Sequence, residues 1–195
     1  EPSGVETAAE HRGDSYLISG TKLFVPDAQA AEILLVVART SQESGPARGL
    51  TVFLVPSGSP GLSISALNTI SSDRQCQVIL EQVSVPANST LGPVGEGWPV
   101  VARALQRAVA GRCVEMLGGA GAVLDMTVDY VKQRTQFGRP IGSFQAVQHH
   151  CSNIALDVEG CRNIAYKAAW RVSEGGPSER DVSMAKAWVN GAYDR

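Results

Sequence analysis

The sequence predicts an α+β chain in two parts: a small antiparallel β-barrel or sandwich, followed by part of an antiparallel α-helical bundle. Three observations predict it. Up to about residue 91, short β-rich runs alternate with Gly, Pro, Ser and Asn clusters. A loop rich in glycine and proline then intervenes at residues 92–99. Beyond it, apolar residues recur at helical spacing. The expected division is residues 1–92 for the β part and 93–195 for the helical part.

Taken in order, residues 16–18 and 21–25 read as strands flanking Ser19-Gly20, a two-residue hairpin turn. Residues 33–38 are continuously apolar and are expected as a strand buried on both faces. Residues 50–55 and 77–83 supply further strands. Pro99 suits the first turn of a helix, where its missing N–H would be unpaired anyway. That helix is expected to reach about residue 136, with Ala104, Ala108, Cys113, Met116, Ala120, Val123, Thr127 and Val131 as its apolar track. A second helix is expected over 143–173. Its Val147, Cys151, Ile154, Val158, Cys161, Ala165 and Ala168 step by fours and threes, the seam of an antiparallel bundle. Gly175-Gly176-Pro177 stops it, and Ser178 caps a third helix with Asp181 completing a capping-box-like start.

Composition excludes several classes. No apolar run approaches the roughly 18 residues that a membrane span needs. A formal charge of −2 argues against a nucleic-acid surface. Cys76, Cys113, Cys151 and Cys161 contain no C-x-x-C pair, so no metal centre and no disulfide framework are expected. Cys151 and Cys161 fit an apolar stripe as buried free thiols, which points to a reducing, cytoplasmic compartment. The sequence starts at Glu1 without Met and ends at Arg195 inside a helical pattern, so it is expected to be a piece of a longer protein.

Some tempting features have plainer explanations. Gly118-Gly119-Ala120-Gly121 lies within a helical pattern and lacks the strand that a dinucleotide-binding fingerprint requires, so close helix packing is expected. His149 and His150 are neighbours on a helix and point about 100° apart, so they cannot converge on one metal. Glu115 is either a structural hydrogen-bond acceptor, the preferred reading, or a charged group near a cofactor.

The segment Arg134-Thr135-Gln136-Phe137-Gly138-Arg139-Pro140-Ile141-Gly142-Ser143-Phe144-Gln145 is richer than a helix–helix linker needs to be. An Arg at a helix end followed by a Phe-Gly break offers a planar donor fork to a phosphate, with a flat face beside it. Phe24, near the end of its strand, is either a core residue or a surface for a flat ring system.

Four passages in order resemble those of the acyl-CoA dehydrogenase family. Glu1-Pro2-Ser3-Gly4 resembles the tail of its T-E-P-x-x-G segment, and Gly20-Thr21-Lys22-Leu23-Phe24-Val25-Pro26 resembles its G-T-K-x-W-I-T strand. Val83-Ser84-Val85-Pro86-Ala87-Asn88, Leu91-Gly92 and Gly95-Glu96-Gly97-Trp98 resemble its V-x-V-P-x-x-N-x-L-G-x-x-G-x-G-F passage. The segment from Arg134 to Gln145 resembles its R-x-x-F-G junction with a Gln following.

The resemblance implies FAD-dependent α,β-dehydrogenation of an acyl-CoA thioester, as in fatty acid or lipid catabolism and β-oxidation. Hydride would pass to flavin N5, and electrons onward to an electron-transfer flavoprotein. It implies a homo- or hetero-oligomer, a dimer of dimers. Phe24, Val25 and Pro26 would face the flavin of the same subunit. Arg134, Gln136, Phe137 and Gln145 would reach the diphosphate and adenosine end of a partner subunit's FAD. No catalytic base is expected in this chain. One branch of the family carries its base on the first long helix, where this chain has Ala108, followed by Val109 in place of a frequent Arg. The other branch carries it beyond Arg195. Two departures bear on the flavin itself: Phe24 stands for the family's Trp, and Pro26 for its Thr. They leave open a non-catalytic subunit that lends Arg134 and Gln145 to a partner's FAD, or a structural α+β interaction module.

Overall fold

The computed structural model describes residues 2–42, 45, 47–71 and 73–195, so Glu1 of the first matched passage lies outside the described residues. The chain forms two compact units, residues 1–102 and 103–195. The first contains β1 (Ala8–Arg12), β2 (Ser15–Pro26), β3 (Ile33–Arg39), β4 (Leu50–Pro56), β5 (Leu62–Leu67) and β6 (Gln75–Pro86). They form one sheet in the order β4-β3-β1-β2-β6-β5. Every pairing is antiparallel except β1–β3, which meets in parallel at Ala8 and Arg39. Ile18, Phe53, Val78, Val83 and Val85 lie in its core, with the Tyr16 ring tilted against Phe53 at 5.1 Å.

The expected turn at Ser19-Gly20 is not a turn. β2 runs through it unbroken, and the residues form a bulge where the register against β6 shifts between Ile18 and Gly20. The cause is a close approach. Gly20 has φ +153°, and a Cβ there would lie 2.7 Å from Thr7 Oγ1 and 2.8 Å from its Cα. Glycine within a strand marks such an approach as readily as a reversal. The chain reverses earlier, between Arg12 and Ser15, with Gly13 at φ +60°. β3 also departs from expectation. Leu34, Val36 and Ala38 are buried, whereas Ile33 and Leu35 are 57% and 63% exposed, so only one face of this apolar run meets the core.

Three helices follow: α1 (Trp98–Gln133), α2 (Gln145–Ser173) and α3 (Glu179–Tyr193). In the second unit, Ala110, Cys113 and Leu117 of α1 meet Val158, Cys161, Ala165 and Ala168 of α2 and Val182, Ala185 and Val189 of α3. From Ile154 to Ala168 the α2 seam is the one its spacing predicts, whereas Val147 and Cys151 are only half-buried and line an open cleft. The α1 track is rotated from expectation, because Ala104, Ala108 and Val123 are exposed. Alanine carries too little apolar area to mark a face, and the step of five from Ala108 to Cys113 crosses from one face to another. Burial pushes the Cys113 and Cys161 thiols up in pKa, as for inert core sulfurs, while Cys151 is half-buried. Of the clustered glycines only Gly119 is tightly packed, with the Tyr193 hydroxyl 3.1 Å from where its Cβ would sit; Gly118 and Gly121 face open space.

Ser178 stands at the N-cap of α3, yet its hydroxyl makes no cap bond. It donates instead to Gln106 Oε1 of α1 at 2.7 Å. Asp181 does not complete a capping box. It accepts Lys167 at 3.1 Å and Arg171 at 3.2 Å, joining α3 to α2. Hydrogen bonds from Lys167 and Arg171 hold its carboxyl below the usual carboxylate range.

Two outcomes follow for stability. Gly20→Ala should cost roughly 1–3 kcal/mol through backbone strain, before any clash with Thr7. Gly118→Ala, in open space on α1, should instead gain about 0.5–1 kcal/mol in urea titrations. Equal midpoints for the two variants would contradict the close approach. Asp181 titrates lower in the folded than in the unfolded chain, so its contribution is present above about pH 4 and is lost as pH falls through the folded value. Asp181→Asn should therefore lower the thermal midpoint at neutral pH, with the gap closing as pH falls below about 4. A gap independent of pH would show that the charge is not what joins the helices.

Candidate functional site

Between α1 and α2 the chain forms a short two-stranded ribbon of β7 (Thr135–Gln136) and β8 (Arg139–Pro140), then a 3-10 turn over Ile141–Ser143. Thr135 pairs with Pro140 and Gln136 with Arg139. The ladder extends one step further, since the Ile141 N–H donates to the Arg134 carbonyl at 2.8 Å. Phe137 and Gly138 close it with φ +52° and +77°. Positive φ at both central positions is the type I′ hairpin, whose twist matches that of the flanking strands. Alternation then places Arg134, Gln136 and Arg139 on one face of the ribbon and Thr135 and Pro140 on the other. Pro140 helps line an open, mostly apolar cleft of about 450 Å³ with Val131, Val147 and Cys151.

The ribbon holds its polar groups outward. Arg134, Gln136 and Gln145 are exposed, and among the described residues their side chains make no hydrogen bond or ion pair. Phe137 is 91% exposed at the tip, with its ring edge-on to Phe144 at 6.1 Å between centroids. The Arg139 guanidinium lies 4.2 Å over the Phe144 ring. A left-handed backbone costs a residue such as Phe about 1–2 kcal/mol. A strained residue carrying a solvent-facing ring is the kind of outlier that points to a binding role.

The β unit shows the same device. Phe24 has φ +55° and is 66% exposed, within a bulge where the β2–β6 register shifts between Lys22 and Val25. Val25 pairs with Cys76 and packs on the core, while Pro26 pairs with Gln75 and is exposed. Gln75 donates to Asp73 at 2.8 Å, and its Oε1 is buried with no partner among the described residues. Thr69, Gln75 and Ser71 together hold the Asp73 carboxyl down to about 2. Lys22 shares the face of buried Val78, and burial lowers its ammonium pKa.

The structure thus brings Arg134, Gln136 and Phe137 together on one ribbon, with Gln145 opening the helix that follows. Phe24, Val25 and Pro26 lie together at the end of β2, in the other unit. Arg139 and Phe144 were outside the expected set. Alternation about the Phe-Gly turn was the signal available for Arg139. The remaining chemistry-bearing groups are plain. Ala108 is exposed on α1, Glu115 is bonded to Arg112 at 2.7 Å, and His149 and His150 are exposed. Among the described residues, no three His, Cys, Asp or Glu side chains gather as metal ligands, and no helix is long and apolar enough to cross a membrane.

Comparison with known proteins agrees with this layout. Residues 1–83 match the acyl-CoA dehydrogenase middle domain, and residues 95–194 match the acyl-CoA dehydrogenase C-terminal domain. The mitochondrial short/branched chain specific acyl-CoA dehydrogenase of Rattus norvegicus is 35% identical, over 95% of this chain and 44% of that protein. The short-chain specific acyl-CoA dehydrogenase of Megasphaera elsdenii is 33% identical, over 95% of this chain and 49% of that protein. Among solved structures, butyryl-CoA dehydrogenase from Megasphaera elsdenii superposes with a TM-score of 0.90 at 31% identity, covering 97% of this chain and 50% of that one. The FAD complex of PigA superposes with a TM-score of 0.91 at 25% identity, covering 98% and 50%. The chain spans about half the length of the curated relatives it matches. Its two units and their order are those of the acyl-CoA dehydrogenase family, to which the chain belongs.

Proposed function

We propose that this chain works within an FAD-dependent acyl-CoA dehydrogenase that oxidises the α,β-bond of an acyl-CoA thioester. The observation that carries the reading is the ribbon, which presents Arg134, Gln136 and Phe137 outward where the family's junction motif matches, with Arg134 and Gln136 free of side-chain partners among the described residues. The residues fit the cofactor. A diphosphate asks for a cation with planar, bidentate donors, and an unpaired Arg134 offers one. The exposed Phe137 ring offers a flat apolar surface beside it.

In this reading Arg134, Gln136, Phe137 and Gln145 hold the diphosphate and adenosine end of a partner subunit's FAD. Phe24, Val25 and Pro26 face the flavin of their own subunit, with Phe24 as the aromatic contact. When bound, FAD supplies the hydride acceptor. This chain's residues bind it, orient it and shield it from water; none of them is assigned as the base. A site drawn from two chains requires an oligomer, homo- or heteromeric, such as a dimer of dimers. Acyl-CoA as substrate, an electron-transfer flavoprotein as electron acceptor and a role in β-oxidation go with this reading. A cytoplasmic location is supported by four free thiols, Cys76, Cys113, Cys151 and Cys161. A functional division into 1–92 and 93–195 is supported by the two domain matches at 1–83 and 95–194.

Pro26 favours a second reading, in which this subunit lends its ribbon to a partner while its own flavin site is idle. Proline offers neither the hydroxyl nor the N–H of the family's threonine. One such hydrogen bond is worth about 0.5–1.5 kcal/mol, which tunes a site without abolishing it. The catalytic reading is therefore preferred.

The full-length protein should carry flavin absorbance that bleaches on anaerobic addition of an acyl-CoA; a colourless protein would overturn the proposal. Arg134→Ala should weaken FAD binding roughly tenfold to a hundredfold, the worth of a charge-assisted contact. Pro26→Thr should shift the flavin potential modestly at constant occupancy. Flavin sites that are empty in the natural protein and fill only after Pro26→Thr would establish the second reading instead.

A further inference from the structure

We propose that Arg139 is a second phosphate-contacting residue, which with Arg134 forms a two-guanidinium clamp on the cofactor's diphosphate. The inference rests on the FAD reading above and adds a residue to it. The Gln136–Arg139 pair and the Ile141 to Arg134 bond fix the ribbon register. In that register Arg134 and Arg139 are diagonal neighbours on one face, with backbones about 7–8 Å apart, which is within reach of two long side chains. A diphosphate presents an ionised oxygen on each phosphate, and a single guanidinium leaves one of them without a fixed cation.

The geometry of Arg139 suits the role. Its guanidinium sits over Phe144 at 4.2 Å, so the stack occupies the planar face and leaves the N–H edges open. Among the described residues those edges meet no acceptor and no carboxylate. The stack also restricts the side chain in advance, which lowers the entropy lost on gripping an anion. Phe144 is edge-on to Phe137 in turn, so the arginine and the ring at the tip are supported by the same aromatic residue.

Charge points the same way. The segment from Arg134 to Gln145 holds two arginines and no acidic residue, in a chain whose net charge is −2. Two cations on one face of the extended ribbon, with no carboxylate partner among the described residues, repel each other, and an anion between them relieves that repulsion.

The test is the FAD dissociation constant of the full-length oligomer, measured at low and high ionic strength for the natural protein, Arg139→Lys, Arg139→Leu and Phe144→Leu. Arg139→Leu should weaken FAD roughly tenfold to a hundredfold, as for one charge-assisted hydrogen bond, and should flatten the salt dependence. Arg139→Lys should restore the salt dependence and part of the affinity. Phe144→Leu should lose less affinity and keep the salt dependence, because the cation remains. Unchanged affinity in Arg139→Leu would overturn the proposal. So would weakened affinity with an unchanged salt dependence, because Arg139 would then only support the turn. A natural protein that binds no FAD would overturn the FAD reading and this inference together, whereas an unaffected Arg139→Leu variant of a flavin-binding protein would overturn the inference alone.

Discussion

The hydrogen bond from the Ile141 N–H to the Arg134 carbonyl is the constraint on which the site depends. It continues the two-pair ladder of the ribbon and fixes its register. A slip of one residue would turn every side chain to the opposite face. Arg134, Gln136 and Arg139 would then face the apolar cleft that Pro140 now lines, and their charges would have to be buried or expelled. The Phe137-Gly138 turn enforces the same register from the other end. Its left-handed phenylalanine is tolerated because Phe144 meets the ring and Arg139 covers Phe144.

The β unit solves a related problem with a bulge. Lys22 shares the core face with Val78, and strict alternation would send Phe24 to that face and Val25 outward. The shift between Lys22 and Val25 reverses this. Val25 returns to the core opposite Cys76, and Phe24, at φ +55°, is released to solvent. Each unit thus spends backbone strain on holding one aromatic ring outside its core. These two rings fall within the two segments that the family resemblance associates with the cofactor.

Much of this was legible in the sequence, and the failures share a cause. The α2 seam could be read because Ile154, Val158 and Cys161 are large enough to mark one face. The α1 track was misplaced where alanines carried the pattern. Gly20 reads as a turn because a glycine signals a reversal and a close backbone approach alike, and its neighbour Thr7 is distant in sequence. The apolar run of β3 said nothing about how many faces would be covered. At the site, Arg134 and Phe137 were legible because they occupy fixed positions of a motif. Arg139 is not one of the motif's fixed residues, and the turn type and register reveal that it shares a face with Arg134.

A crystal structure of the full-length oligomer with FAD bound tests the central claim most directly. The account predicts diphosphate oxygens within hydrogen-bond distance of the Arg134 guanidinium, with the Phe137 ring against the cofactor and the ribbon register unchanged. A diphosphate held elsewhere, with Arg134 and Phe137 left in solvent, would contradict it.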